Sequence, residues 1–230
     1  INLINENQIS AKFDFECRVN GANKVSYPSV CATSEHSTII HYGKNDRFAD
    51  PSDWILMDAG CEDIEGYCSD ITRSWQLDGR KEMSRLEFAL YQALQEVHKE
   101  LISSYKESVT TLDQLFELMC HLNAKVLVEF GIGGKSMSSV EAFRLAYRHC
   151  PHHVSHYLGL DIHDTPSIPR NIPLKPGMCF TIEPGLYFRN TNDVRPEFRG
   201  IGLRIEDDFC INEKGELENL TRHCPLSNMI

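Results

Sequence analysis

The chain has 230 residues, 41% of them hydrophobic, with 23 Lys and Arg against 33 Asp and Glu for a formal net charge of −10. That length can bury a large core, and the acidic balance argues against a general nucleic-acid-binding role. No run of 18 or more apolar residues would span a membrane. Nine scattered cysteines without a Cys-x-x-Cys pair exclude a disulfide framework and a four-thiolate zinc site, so reduced thiols in an intracellular compartment are expected.

The opening lacks an initiator Met and reads as a fragment entered inside a helix, with Ile9, Phe13 and Cys17 at helical spacing and Gly21 as its end. SYPSVCATS and STIIHY read as extended. DWILMDAG is a short apolar strand that finishes on a carboxylate, YCSDITRSWQL alternates as a second strand, and the polar CEDIEG between them makes a hairpin. Centred near Ile64, that hairpin would set Asp58 opposite Asp70. Leu86, Leu90, Leu94, Val97 and Leu101 predict a helix from about Met83 to Tyr105, and Leu115, Leu118, Met119, Leu122 and Val126 a second over 112–128. FGIGGKS then imitates a phosphate-binding loop, but Glu129 stands where its first glycine is needed and a helix precedes it, so it reads as a helix end and loop.

CPHHVSHYLGLDIHD (Cys150 to Asp164) carries four histidines, yet a zinc finger on Cys150, His152, His153 and His156 lacks its second ligand pair. The last third is β-rich, with MCFTIEPGLYF after a KPG turn and then GIGLRIEDDFCI. No linker or low-complexity tract divides the chain. The expected fold class is α+β, one domain of helices and mainly antiparallel strands.

Four strand-like runs enclose an acid: Asp58, Asp70, Glu183 and Glu206. An unpaired buried carboxylate is costly. Salt bridges to Arg73 or Arg204 would explain single members, but nearby cations are too few for all four. Alternation sets Arg204, Glu206 and Asp208 on one face. Acids that converge need cations, and oxygen-rich ligation with a single imidazole favours two Mn²⁺, or Co²⁺, Fe²⁺ or Zn²⁺, over a thiolate zinc site.

In order, DAG, SDITRSW, SHYLGLDIHD, TIEPGLY and RGIGLRIEDD resemble the aminopeptidase P/prolidase family of dinuclear metallopeptidases over nearly the whole chain. CPHHVSHYLGLDIHDTP and RSW are most similar to its mitochondrial Xaa-Pro aminopeptidase branch, which includes intermediate-cleaving peptidases that trim imported precursors. The resemblance implies a pita-bread fold, a curved, mainly antiparallel sheet with helices on its outer face. Residues 1–230 would be the metallopeptidase catalytic domain, without its first helix and the family's N-terminal domain. It implies a hydrolase that removes the N-terminal residue of peptides, at Xaa-Pro bonds or from imported proteins. By the same resemblance Asp58 chelates one metal, Asp70 and Glu206 bridge both, and His156 and Glu183 complete the second. Glu183 also moves the nucleophile's proton. His41, His152 and His163 lie on the substrate side, the last two as oxyanion donors, with Tyr187 and Arg204 supporting them. A peptide or protein N-terminus is the implied partner, with no nucleic acid or membrane, and a homodimer and a mitochondrial or cytoplasmic location go with it. The rivals are a prolidase confined to dipeptides, a methionine aminopeptidase and a metal-free peptide-binding pseudo-enzyme. His36, His98, His121, His149, His153 and His223 read as structural, and Cys150 takes no part in the chemistry.

Overall fold

Local sequence opens the helices. Asn5, Thr111 and Ser138 each accept from the backbone three residues on, and Gln8, Gln114 and Glu141 return the hydrogen bond. In the computed structural model, which describes residues 4–77 and 85–226, the helices are α1 (Glu6–Val19), α2 (Arg85–Ser103), α3 (Leu112–Glu129) and α4 (Ser139–His149). The Met83 and Ser84 expected at the start of α2 lie outside the described residues. α4 was not expected. Its 11 residues are amphipathic, with Ala142, Leu145 and Ala146 on the core side, and the Ser138-x-x-Glu141 box was a second readable signal.

The strands are β1 (Ile4–Asn5), β2 (Lys24–Val25), β3 (Val30–Thr33), β4 (Phe48–Ala49), β5 (Trp54–Ala59), β6 (Cys61–Glu62), β7 (Ile71–Gln76), β8 (Cys179–Ile182), β9 (Gly185–Phe188), β10 (Ile201–Arg204), β11 (Asp207–Ile211) and β12 (Leu217–Asn219). Every ladder among them is antiparallel. β5 lies between β3 and β7, β11 lies between β8 and β12, and β9 pairs with β10. A bridge from Thr72 to Glu206 joins the first group to the second.

The hairpin register differs from expectation. Asp58 pairs with Thr72, not Asp70. The turn is set by Asp63, whose Oδ1 accepts from the backbone of Glu65 (2.8 Å) and Tyr67 (3.0 Å), while Gly66 takes φ +95°. That turn moves the centre by one residue, which displaces each partner by two and so keeps Asp70 on the face of Asp58. Gly60 is required nearby, since a Cβ there would stand 1.7 Å from the Ser69 carbonyl oxygen.

Both ribbons of the second half break at an acid. β8 and β9 part at Glu183 and Pro184, and β10 and β11 at Ile205 and Glu206. The flanking pairs Ile182–Asp207 and Gly185–Arg204, carried into the gap, set Glu183 opposite Glu206. Asp58, Thr72, Glu206 and Glu183 therefore form one row across four strands. Behind it, α2 buries Leu90, Leu94 and Leu101 against the sheet, with Tyr91 edge-on to Trp54 at 5.5 Å and His98 beside Phe209 at 6.4 Å.

Candidate metal and peptide site

Asp70, His156 and Glu206 present ligand atoms that all lie within 4.8 Å of one another, all three residues buried. His156 reaches them because its segment is stitched to β8, where Thr181 N donates to the His156 carbonyl at 3.0 Å and Tyr157 bridges Phe180. Its Nδ1 stands 3.1 Å from the Tyr157 carbonyl. A carbonyl can only accept, so Nδ1 carries the proton. Nε2 is thereby aimed at Asp70 Oδ2 (3.3 Å), Glu183 Oε1 (3.8 Å) and Glu206 Oε1 (3.9 Å). A lone pair facing three carboxylates is repulsive unless a proton or a metal cation stands between them. With protons alone, burial lowers the imidazole's pKa, but the Asp70 hydrogen bond and the Glu183 and Asp70 charges outweigh it and raise it to about 9.

The acids show the same shortage of positive charge. Burial pushes Asp58 and Glu206 up despite Arg204, and Glu183 up to about 7. Burial also acts on Asp70, yet His156 and the Tyr27 hydroxyl hold it below the usual carboxylate range. Asp208, pushed up to about 8 by burial, accepts from Asp70 N at 3.0 Å through Oδ2, while its Oδ1 is buried without a hydrogen-bond partner. Several hard oxygen donors and one imidazole, short of cations, fit divalent metal ions.

Arg204 divides its fork among Asp58 Oδ2 (2.5 Å), the Tyr187 hydroxyl (2.7 Å) and Thr72 Oγ1 (3.0 Å), and Thr72 in turn donates to Glu206 at 2.6 Å. A salt bridge does account for Asp58, and the same Arg204 reaches Glu206 only at 4.0 Å. Arg73 helps none of the four, because its guanidinium is taken by Asp207 (2.6 Å) and by the carbonyls of Glu206 (2.6 Å) and Cys224 (2.5 Å). Tyr27 was missed by sequence reading. Its hydroxyl lies 2.5 Å from Asp58 Oδ1 and 2.5 Å from Asp70 Oδ1. Nothing in SYPS marks it, since its partners are 31 and 43 residues away.

His152 donates from Nδ1 to the His153 carbonyl (2.8 Å), so its Nε2 accepts the Tyr187 hydroxyl proton at 3.0 Å. Burial holds its pKa down to about 3, hence it is neutral. The same Nδ1 is 3.6 Å from Glu183 Oε2. Cys150 Sγ lies 3.4 Å from His152 Nε2, but burial pushes its thiol up to about 12, which leaves it protonated and no ligand. The exposed His163 stands 4.5 Å from the His156 ring at 80°. His41 is also exposed, on a segment anchored where Tyr42 donates to the buried Glu6 at 2.8 Å.

His41, His152, His163, Arg204 and the metal-site acids line a cavity of about 370 Å³, together with His153 and Arg170, which had not been placed in the site. A second cavity of about 340 Å³ shares His41, Asp58, Asp70 and His163 and is walled by Tyr27, Pro28, Val30, Tyr42 and Ile162. Every residue predicted for the site is brought to this end of the sheet. Tyr187 stands behind the wall, between Arg204 and His152.

The sequence pattern of metallopeptidase family M24 matches residues 2–213. The rat Xaa-Pro aminopeptidase 3 is 41% identical over 223 residues, 96% of this chain and 43% of that protein. The mitochondrial intermediate cleaving peptidase 55 of Arabidopsis thaliana is 37% identical over 220 residues, 96% of this chain and 42% of that protein. The solved structure of Pseudomonas aeruginosa aminopeptidase PepP superimposes with a TM-score of 0.88 at 31% identity, covering 98% of this chain and 51% of that one. The chain thus spans less than half the length of the curated relatives it matches. The α+β, pita-bread architecture expected from the motifs is the one observed.

Proposed function

The chain belongs to metallopeptidase family M24, and from that premise we propose that it is the catalytic domain of a metal-dependent aminopeptidase. Its substrates are peptides and protein N-termini, from which it removes the first residue, Xaa-Pro bonds included. The observation that carries this reading is His156, whose Nδ1 is held by the Tyr157 carbonyl so that Nε2 is directed at three carboxylates on a cavity wall.

Asp58, Asp70, His156, Glu183 and Glu206 would hold two divalent ions, Mn²⁺ by donor chemistry, with Co²⁺, Fe²⁺ or Zn²⁺ as alternatives. Bound ions of this kind supply Lewis acidity and activate water at neutral pH. Glu183 accepts the proton released in the attack and returns it to the leaving nitrogen. His163, at the open edge of the cavity, donates to the carbonyl oxygen as it gains charge. His152 spends its one N–H on the His153 carbonyl and so acts by fixing the Tyr187 hydroxyl beside Arg204. His41 faces the substrate from the opposite segment. A penultimate proline offers no N–H, so its selection rests on shape, for which the wall of Tyr27, Val30, Tyr42 and Ile162 supplies apolar surface. Action in mitochondria, as in the name of the Arabidopsis relative, and assembly as a homodimer complete the proposal.

The test offers Ala-Pro, Ala-Pro-Ala and longer peptides to the purified chain with Mn²⁺ and measures bound metal. Release of the first residue from the tripeptide and longer peptides is expected, lost on chelation and restored by metal. Cleavage of the dipeptide alone would make the protein a prolidase, and no bound metal with no cleavage a peptide-binding module.

A further inference from the structure

The cavity wall continues past the histidines as a run of aromatic rings. His153 lines the cavity and stacks on Phe116 of α3 at 4.8 Å and 21°. Phe116 meets Phe143 edge-on at 6.0 Å and Tyr147 at 6.5 Å, and these two residues of α4 stack on each other at 5.9 Å. Phe143 is 42% exposed, Tyr147 46% and their neighbour Val140 57%. α4 does not need this face to stay folded, since Ala142, Leu145 and Ala146 seat its other side in the core. Four rings in unbroken contact thus lead from the cavity to a solvent-facing apolar stripe, which is the signature of an interaction surface.

What lies on that surface follows from the proposed aminopeptidase reading, on which this inference rests. If the site takes the first residue, the only part of a long substrate that can leave the cavity is the chain that follows the cut bond. Arg170 stands beside His153 on the wall, and its guanidinium makes no hydrogen bond or ion pair among the described residues. It is a cation matched to the carbonyl oxygens of such a chain. We propose that His153, Phe116, Tyr147 and Phe143 form a docking track for the polypeptide segment C-terminal to the scissile bond, so that the protein prefers extended polypeptides with apolar residues there over di- and tripeptides. From the His153 ring to the Tyr147 ring the path covers about three residues of extended chain. The advantage therefore begins with peptides of roughly five residues or more.

The experiment compares kcat/KM for Ala-Pro-Ala with that for a ten-residue peptide that begins Ala-Pro and carries Leu or Phe at its fourth to sixth positions. It is run on the full chain and on Phe143→Ser with Tyr147→Ser. The expected result is a fall of about 2- to 10-fold in the ratio of long to short, carried by KM, as for the loss of one or two ring contacts. Fluorescence anisotropy of the labelled decapeptide and tripeptide reads the same surface without any bond being cut, so failure of the peptidase reading and failure of the track are separable. Phe143→Leu with Tyr147→Leu, which keeps apolar area, restores part of the ratio. An unchanged length ratio and unchanged decapeptide binding in the Ser variant overturn the proposal. So does a change of oligomeric state by light scattering without a change in the ratio, because the stripe is then a contact between copies.

Discussion

The helical layer and the carboxylate row are equally dry and oppositely built. Leu94, Leu101 and Leu112 are fully buried, and Asp70, Arg204 and Glu206 are 5% exposed or less. Each buried leucine stabilises the fold by about 1.5–3 kcal/mol. Each buried acid opposes it until a partner arrives. The fold holds a repulsive row because the apolar layer behind it holds the strands in register. The difference teaches where to look for chemistry: at the buried groups whose interactions the protein alone leaves incomplete.

Substitution should therefore separate the two regions. The largest effect is expected from Glu206→Gln, which lowers kcat/KM roughly a thousandfold or more, equivalent to about 4 kcal/mol of transition-state stabilisation. The melting temperature of its metal-free form holds or rises, since one of several mutually repelling carboxylates is gone. A fall in that temperature would show that the row stabilises the fold. Next, Arg204→Met strips Asp58 of its cation and should destabilise the folded chain by about 3–5 kcal/mol. That matches Leu94→Ala in the helical layer at about 2–5 kcal/mol, and denaturant unfolding of the two variants compares them directly.

A smaller effect is expected from pH at the seam of the two regions. His98 of α2 stands 3.5 Å from Asp207, and burial lowers its pKa to about 4, with Asp207 opposing. Its folded value is below its unfolded one near 6.5, so the folded state binds the proton less readily. The stability His98 contributes is complete above about pH 6.5 and is lost as pH falls through 4. Urea midpoints across that window should decline less steeply in His98→Phe. The smallest effect is Ser138→Ala, which removes the α4 cap and should cost about 0.5–2 kcal/mol, seen in melting, with tripeptide cleavage unaltered.

Much of the helical layer was legible because its signal is local. The leucine spacing of α2 and α3 needs only neighbouring residues, and α4 was announced by its capping box and its amphipathic spacing. The acids of the site were legible for a related reason. A carboxylate inside an apolar alternating run contradicts its surroundings, and Asp58, Asp70, Glu183 and Glu206 all did. Tyr27, Thr72 and Arg170 contradicted nothing and passed unnoticed. His153 was read as structural, yet the structure sets it on the cavity wall.

The sequence by itself determined which strands carry acids, where α2 and α3 lie, and that one histidine would stand among carboxylates. Only the tertiary structure decided how they meet. Thr72 hydrogen-bonds Glu206 across 134 residues, Arg204 chooses Asp58 across 146, and a turn one residue off the expected centre replaces Asp70 by Thr72 opposite Asp58. Periodicity reports the face on which a side chain lies, because face repeats every two or 3.6 residues. It does not report which distant strand arrives beside that face, and in this protein the buried acids gather where such strands meet.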